Sequence, residues 1–314
     1  MSTVLDDTTR LRELIDELSD LSTETATTER GDLDLLPTTE LIRLMNAEDA
    51  SVPAAVAAQS EAIARAVDGI TERFRRGGRL LYIGAGTAGR VGVLDASECP
   101  PTFGTDPAMV VGLIAGGETA IRSAVEDAED DVDAAARELA ALAVGPNDTV
   151  VGISASGRTP YVLGGLRHAS AVGALTVAIA ANSPSAIGRA ADIAIETVVG
   201  PEFITGSTRL KAGTSQKLVV NMLTTLSMIS LGKTYQGVMV DLRATNEKLR
   251  ARSSRTIMQL TGVSATEALD ALREAGGSVK LALLTVMTGA DAASGAAALE
   301  RSGGILREAI SALS

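Results

Sequence analysis

Residues 79–101, RLLYIGAGTAGRVGVLDASECPP, read as strand, glycine turn, helix and stop, and this reading decides the fold. Residues 80–83 form a short apolar run of the kind buried on both faces of a parallel sheet. Gly84, Gly86 and Gly89 then let the backbone turn sharply into a helix. The start of a helix presents unpaired N–H groups and about half a positive charge, so a phosphate is the natural guest of such a turn. Pro100 and Pro101 are expected to stop the helix and leave Glu98 in its last turn.

Downstream, strands alternate with helices. MVVGLIAGG (109–117) reads as a strand and residues 119–142 as one acidic, Ala-rich helix. DTVVGISAS (148–156) is the next strand and turn, and Thr159 opens a helix to about Ala171. A strand at 174–181, a short helix at 185–191 and a strand at 193–199 follow. Five strands with helical connections predict an α/β fold, a doubly wound five-stranded parallel sheet flanked by helices, with ligands at the carboxyl ends of the strands. Upstream, helical spacing appears at Leu41, Ile42, Leu44 and Met45, and a longer helix is expected over 52–75. Residues 1–37 read as an acidic arm, flexible or partner-dependent, with one possible helix at 9–21 before STETATTERGD. Residues 38–245 then form the sheet domain with its preceding helices. Residues 246–314 form a small helical bundle of short helices at 247–260, 266–275, 278–287 and 290–301. The helix at about 210–231 is apolar beyond a single stripe, and a homodimer interface would account for the excess.

Composition narrows the partners. The chain has 314 residues, 46% of them hydrophobic, and a formal net charge of -11. Such acidity argues against nucleic acid or an anionic membrane, both of which reward a basic surface, and favours a small molecule. One cysteine, Cys99, rules out an internal disulfide and suits the cytoplasm. The acidic start lacks the features of a signal peptide, and no apolar run reaches membrane-spanning length.

Two loops each end a strand and start a helix. The first carries Gly86 and Thr87; the second carries Ser154, Ser156, Gly157 and Thr159 before Pro160. Small residues allow close backbone approach, and the hydroxyls can donate to phosphate oxygens or sugar hydroxyls. The first loop also matches GxGxxG, but a nicotinamide site wants an acidic residue at the end of the second strand. Here that strand ends in Gly116 and Gly117 and only then Glu118, so the residues favour a phosphosugar over a dinucleotide. Two tight turns without a ligand remain the plain alternative.

The runs LYIGAGTAGRVGVLDASECPPTFG, VGLIAGGETAIRSAVEDAED, VGISASGRTPYV and TGSTRLKAGTSQKLVVNML resemble the bacterial N-acetylmuramic acid 6-phosphate etherases, a family of sugar isomerase (SIS) domain proteins. The resemblance runs from about Leu36 to the C-terminus, and DASECPPT and SAVEDAED are more specific than either glycine loop. In the arm, TETATTER departs from the Asn-containing segment of the family. The resemblance implies cleavage of the D-lactyl ether of N-acetylmuramic acid 6-phosphate to N-acetylglucosamine 6-phosphate and D-lactate. Opening the sugar ring exposes a C1 aldehyde that acidifies the C2 proton. One carboxylate then removes that proton, another protonates departing lactate, and water adds to the unsaturated aldehyde. By its match to DASECPPT, Glu98 takes the proton-donor role, which a helix end would favour. Glu129, by its match to SAVEDAED, takes the other role, that of C2 base, with Glu126 on the same helix face as the fallback. The chemistry needs no metal or redox cofactor, and His168 and Cys99, the only residues of their types, supply no zinc cluster. Cys99 reads as a small buried thiol and His168 as surface or packing; Arg90, Arg158, Lys211 and Lys217 stay outside the expected site. An aldose-ketose phosphosugar isomerase and a noncatalytic phosphosugar sensor are the competing classes on this fold. The paired glutamates weigh against both, and the lack of a basic DNA-binding helical domain weighs further against the sensor.

Overall fold

The central strand, β1 (Leu80–Gly84), is buried along its whole length in the computed structural model, which describes residues 21–25, 32–241 and 247–314. β1 lies between β2 (Val110–Ile114) and β3 (Thr149–Ser154), parallel to both, with Leu80 opposite Val110 on one side and Thr149 on the other. β4 (Leu175–Ala180) and β5 (Ile193–Glu196) extend the sheet to the order β2-β1-β3-β4-β5. The five-stranded parallel sheet is the one expected. Its winding reverses between β1 and β3, so a crevice opens at the carboxyl ends of these two strands, after which both expected loops begin.

The helices follow from the same patterning. α1 (Thr38–Asp49), α2 (Val52–Ala57) and α3 (Ser60–Arg75) precede the sheet, and α3 buries Ile63, Val67, Ile70 and Phe74 on one stripe. The expected single helix over 52–75 is thus two. It breaks at Gln59, which leaves helical geometry at φ -100°, ψ 12° and accepts the Glu196 N–H of β5 on its side-chain oxygen at 3.3 Å. On one face of the sheet, Leu81, Ile83, Leu139, Val150, Tyr161, Val162 and Leu166 form a continuous core. Arg79 and Asp148 clip the amino ends of β1 and β3 together through a two-point ion pair of 3.1 and 2.8 Å, and Asp148 also accepts the Gly145 N–H. Burial works against the Asp148 charge, but these bonds outweigh it and hold the carboxyl below its ordinary range.

Two helical expectations fail in informative ways. The helix after the glycine turn, α4 (Gly86–Phe103), runs through Pro100 and Pro101 rather than stopping at them. The prolines remove two amide donors, but Cys99 and Phe103, one turn apart, are both buried. The Gly104 N–H closes the final turn on the Pro100 carbonyl at 2.9 Å, with Gly104 at φ +63°. Glu98 therefore lies inside the helix, and the helix-end argument for its protonation does not apply. The second failure is the acidic helix over 119–142. It is α5 (Gly117–Arg122), an irregular stretch, a 3₁₀ turn (Ala128–Asp130) and α6 (Ala134–Ala141). Asp127 takes a left-handed conformation at φ 59°, and the Asp131 carboxylate accepts the Asp133 and Ala134 N–H groups at 3.0 and 3.1 Å. Short acidic side chains that compete for backbone amides favour turns over helix interiors.

α7 (Pro160–Ala171), α8 (Ala186–Ala190) and α9 (Lys211–Ser230) complete the elements around the sheet. The chain divides into two compact units, one of Met1–Ser97 and Ala108–Leu223, the other of Glu98–Pro107 and Thr224–Ser314. The second unit holds a hairpin, β6 (Thr234–Tyr235) and β7 (Val238–Met239), then α10 (Glu247–Thr261), α11 (Ala265–Glu274), α12 (Val279–Thr288) and α13 (Ala292–Arg301). A further helix, α14 (Leu306–Leu313), and the hairpin were not expected. Val240, Ile257, Leu272, Leu283 and Leu306 are among the larger side chains of this unit's own core. Of the expected arm, only residues 21–25 and 32–37 are described. The helix expected at 9–21 lies outside the described residues but for its last position. Among the described residues no single helix is long and apolar enough to cross a membrane.

Candidate active site

The glycine turn is shaped by steric necessity. Gly86 opens α4 at φ +52°, and a Cβ on Gly89 would lie 2.6 Å from the Ile114 side chain and 2.7 Å from the Gly84 carbonyl oxygen. Only glycine at position 89 lets α4 seat this closely on β1 and β2. Behind the turn, the buried Asp95 of α4 accepts the Tyr82 hydroxyl of β1 at 2.8 Å and the Asn221 amide of α9 at 2.6 Å. The aspartate of the DASE motif thus fixes the helix that carries the motif.

A cavity of about 190 Å³ opens where the turn meets the irregular acidic stretch, and Gly86, Arg90, Ala120, Glu126 and Glu129 are among its lining residues. It is smaller than the roughly 300–1,000 Å³ of a complete ligand pocket, so it can hold one end of a sugar phosphate. Arg90 donates to the Ile121 carbonyl at 3.0 Å, which orients a guanidinium on the wall of a cavity that also holds two carboxylates. Glu129 sits on the 3₁₀ turn, where burial first and then the adjacent charge of Asp130 push its carboxyl above the ordinary glutamate range. Glu129 is nonetheless an exposed residue, and water screens much of that effect. Glu126 reaches the same cavity from the loop, not from a shared helix face.

The second loop is organised by its own hydroxyls. Ser154 Oγ accepts the Gly157 N–H at 3.0 Å and shares a hydrogen bond with Thr159 Oγ1 at 2.8 Å, while Ser156 Oγ lies 3.3 Å from Ser154 Oγ. Ser154 is buried, so its hydroxyl acts on the shape of the loop. Ser156 and Thr159 are only partly buried, which leaves them the loop's more accessible hydroxyls. Gly157 has φ +74°, and a Cβ there would come within 2.4 Å of the Ser185 Cβ.

Thr87 lies beside the start of α9, since a Cβ on Gly213 would be 3.2 Å from the Thr87 methyl. That helix start is capped by the buried Glu202 carboxylate, which accepts the Lys211 and Ala212 N–H groups at 2.9 Å each. The Lys211 ammonium is itself buried against Glu48 at 2.8 Å. Cys99 is a buried thiol, as expected.

Gly86 and Glu129 therefore share one cavity, and Ser154, Ser156, Gly157 and Thr159 form one loop at the end of β3, while Thr87 lies against the start of α9. Glu98 is an exposed residue twelve positions further along α4 than Gly86 and is not among the residues lining the cavity. Sequence reasoning left out Arg90, whose position one residue after the fingerprint glycine was the available signal. Among the described residues no cluster of three or more His, Cys, Asp or Glu side chains is placed to hold a metal ion.

Comparison with known proteins identifies the domain and the family. The family model of the glucokinase regulatory protein N-terminal SIS domain matches residues 62–170, and that of the SIS domain matches residues 123–226. The N-acetylmuramic acid 6-phosphate etherase of Streptomyces avermitilis is 57% identical, over 96% of this chain and 97% of its own length. That of Streptomyces coelicolor is 54% identical over 96% of each chain. Among solved structures, a phosphoheptose isomerase from Francisella tularensis is similar at 19% identity and a TM-score of 0.48, over 60% of this chain and 98% of that one. With relatives this similar over nearly its whole length, the chain belongs to the N-acetylmuramic acid 6-phosphate etherase family.

Proposed function

We propose that this chain is a carbon-oxygen lyase that cleaves the D-lactyl ether of N-acetylmuramic acid 6-phosphate, releasing D-lactate and N-acetylglucosamine 6-phosphate, in the catabolism and recycling of cell-wall amino sugars. The observation that carries the reading at the site is one cavity that holds a raised-pKa glutamate, Glu129, beside a helix-opening glycine turn and an oriented arginine. A carboxyl raised in this way is a stronger base than a solvated glutamate, which suits abstraction of the C2 proton from the open-chain aldehyde. The electron pair left at C2 expels the lactyl oxygen from C3, and that oxygen takes a proton from Glu98. Water then adds at C3 of the unsaturated aldehyde and a proton returns to C2, so the carboxyl groups end as they began. The amides at the start of α4, Arg90 and the accessible hydroxyls of Ser156 and Thr159 supply donors for the anionic end of the substrate. No redox step occurs, and the chemistry calls for no cofactor.

The active form is a cytoplasmic homodimer in this reading. Met222, Leu226 and Ile229 are 38, 41 and 48% exposed and recur at helical spacing along α9, a stripe that a second copy would cover. The deciding experiment is incubation with N-acetylmuramic acid 6-phosphate and an enzymatic assay for D-lactate. Release of lactate with formation of N-acetylglucosamine 6-phosphate is expected; conversion of a phosphoaldose to a ketose without lactate would replace the lyase by an isomerase.

A further inference from the structure

The sugar-phosphate loop has a support that lies outside the motifs. Asn182 follows β4, is 5% exposed, and has every hydrogen-bonding position of its amide filled. Its nitrogen donates to the Ala155 carbonyl at 3.0 Å and to Thr23 Oγ1 at 3.2 Å. Its oxygen accepts the Ser22 N–H at 2.9 Å and the Ser22 hydroxyl at 2.8 Å. Ala155 lies between Ser154 and Ser156, and its carbonyl also accepts the Ala181 N–H at 3.0 Å.

The other half of this arrangement is a piece of the acidic arm. Thr23 is fully buried, its carbonyl accepts the Gly206 N–H at 3.3 Å, and a Cβ on Gly206 would lie 2.8 Å from a Glu24 carboxylate oxygen. Residues 22–24 thus sit between the turn after β4 and the segment that leads into α9, whose start lies against Thr87. A polar side chain buried at such a point costs stability unless all its partners are present, and here all four are.

We propose that Asn182 is a positioning residue of the phosphosugar site, clamping the Ala155 carbonyl of the hydroxyl loop to residues 22–24, so that this stretch of the arm is part of the site's framework. The assignment rests on the phosphosugar reading above. Without the clamp, the loop retains its internal Ser154 bonds and the Ala181 and Ile187 N–H bonds to its carbonyls, but loses the side-chain bond that ties it to residues 22–24. Ligand affinity then falls more than chemistry does. Asn182→Asp puts an acceptor against the Ala155 carbonyl and is the harsher change; Asn182→Ala removes all four bonds.

The test compares Asn182→Ala and Thr23→Val with Thr176→Val in the full chain. Thr176 is an equally buried hydroxyl, bonded to Asp192 at 2.8 Å at the amino end of β4, away from the loops. Calorimetric titration with N-acetylglucosamine 6-phosphate, Tm, and amide hydrogen exchange over residues 155–158 and 22–24 are read for each. Asn182→Ala is expected to weaken the sugar phosphate by about tenfold and to quicken exchange in both stretches together. Thr176→Val lowers Tm without either effect. Affinity loss no greater than that of Thr176→Val, or unchanged exchange at 155–158, overturns the clamp. Should Asn182→Ala not fold, Thr23→Val must still quicken exchange at 155–158, and failure to do so overturns it equally. If the wild-type protein releases no lactate while Asn182→Ala still weakens sugar phosphate and loosens the loop, the lyase reading falls and the clamp stands. Lactate release with an indifferent Asn182→Ala removes the clamp alone.

Discussion

Replacing Asp95 by alanine separates the two acidic residues of the DASE motif, one holding the fold and the other proposed for chemistry. In the native protein the buried Asp95 carboxylate accepts from Tyr82 at 2.8 Å and from Asn221 at 2.6 Å. Its removal takes the 2.8 Å acceptor from the buried Tyr82 phenol, which keeps a longer 3.4 Å approach to the Val220 carbonyl, and the 2.6 Å acceptor from the partly buried Asn221 carboxamide; at about 1–3 kcal/mol each, the total is about 2–6 kcal/mol. For a chain of this size that is a fall in Tm of roughly 5–20 °C. Tyr82→Phe removes one donor and its partner interaction, a hydrogen bond to a charged group worth about 1.5–3 kcal/mol. Thermal melts of Asp95→Ala, Tyr82→Phe and the double variant form a cycle whose coupling energy is expected in that same range of about 1.5–3 kcal/mol. Turnover per folded molecule of Asp95→Asn, measured well below its Tm, should stay within a few-fold of wild type. A stability loss under about 0.5 kcal/mol for Asp95→Ala, or a coupling that small, refutes the reasoning.

The two glutamates proposed for catalysis give a second expectation. Glu129→Gln and Glu98→Gln should each lower the rate by about 10² to 10⁴. In deuterated water Glu98→Gln still exchanges the C2 proton slowly, whereas Glu129→Gln does not, and the opposite pattern reverses the roles. Because the Glu129 carboxyl is raised and must be ionised to act, activity falls as pH drops through that raised value. The acid limb of kcat/KM therefore lies above the ordinary glutamate range, and a limb at or below it removes Glu129 as the base. Ser156→Ala should raise KM with little change in kcat, and an unchanged affinity for the phosphorylated sugar excludes Ser156 from phosphate binding. Light scattering of the dilute active protein should report a dimer, and Leu226→Glu on the exposed α9 stripe should shift it toward monomer; a stable, fully active monomer of the wild type rules the interface out.

The sheet was legible because parallel strands covered on both faces leave apolar runs such as LLYIG and TVVGIS, bounded by glycines that the turns require. The two loops were legible for the same reason, as small and hydroxyl residues at two of the places where strands hand over to helices. What stayed hidden depends on partners distant in sequence. Nothing local shows that Gln59 receives an N–H from Glu196, or that burial of Cys99 and Phe103 carries α4 through two prolines. The acidic run at 126–131 has helical composition, yet Asp131 spends its carboxylate on nearby amides and Asp127 turns left-handed, which moves Glu126 off any shared helix face with Glu129. Asn182 was invisible altogether, since a lone asparagine after a strand is an ordinary turn residue until its four partners are placed.

The discontinuous make-up of the second unit has a consequence for the order in which the protein matures on the ribosome. Synthesis is vectorial, at about 5–20 residues per second, and domains generally fold as units, the N-terminal one first. All five strands and most of α9 have been made by Leu223, so the sheet can close while the C-terminal helices are still being translated. Residues Glu98–Pro107 emerge early but belong with Thr224–Ser314 and must wait for them. The carboxyl group assigned to protonate the leaving lactate is the first residue of that waiting stretch. A nascent chain stalled after the sheet would thus hold residues 98–107 exposed and without the partners of their own unit, which only the last helices supply.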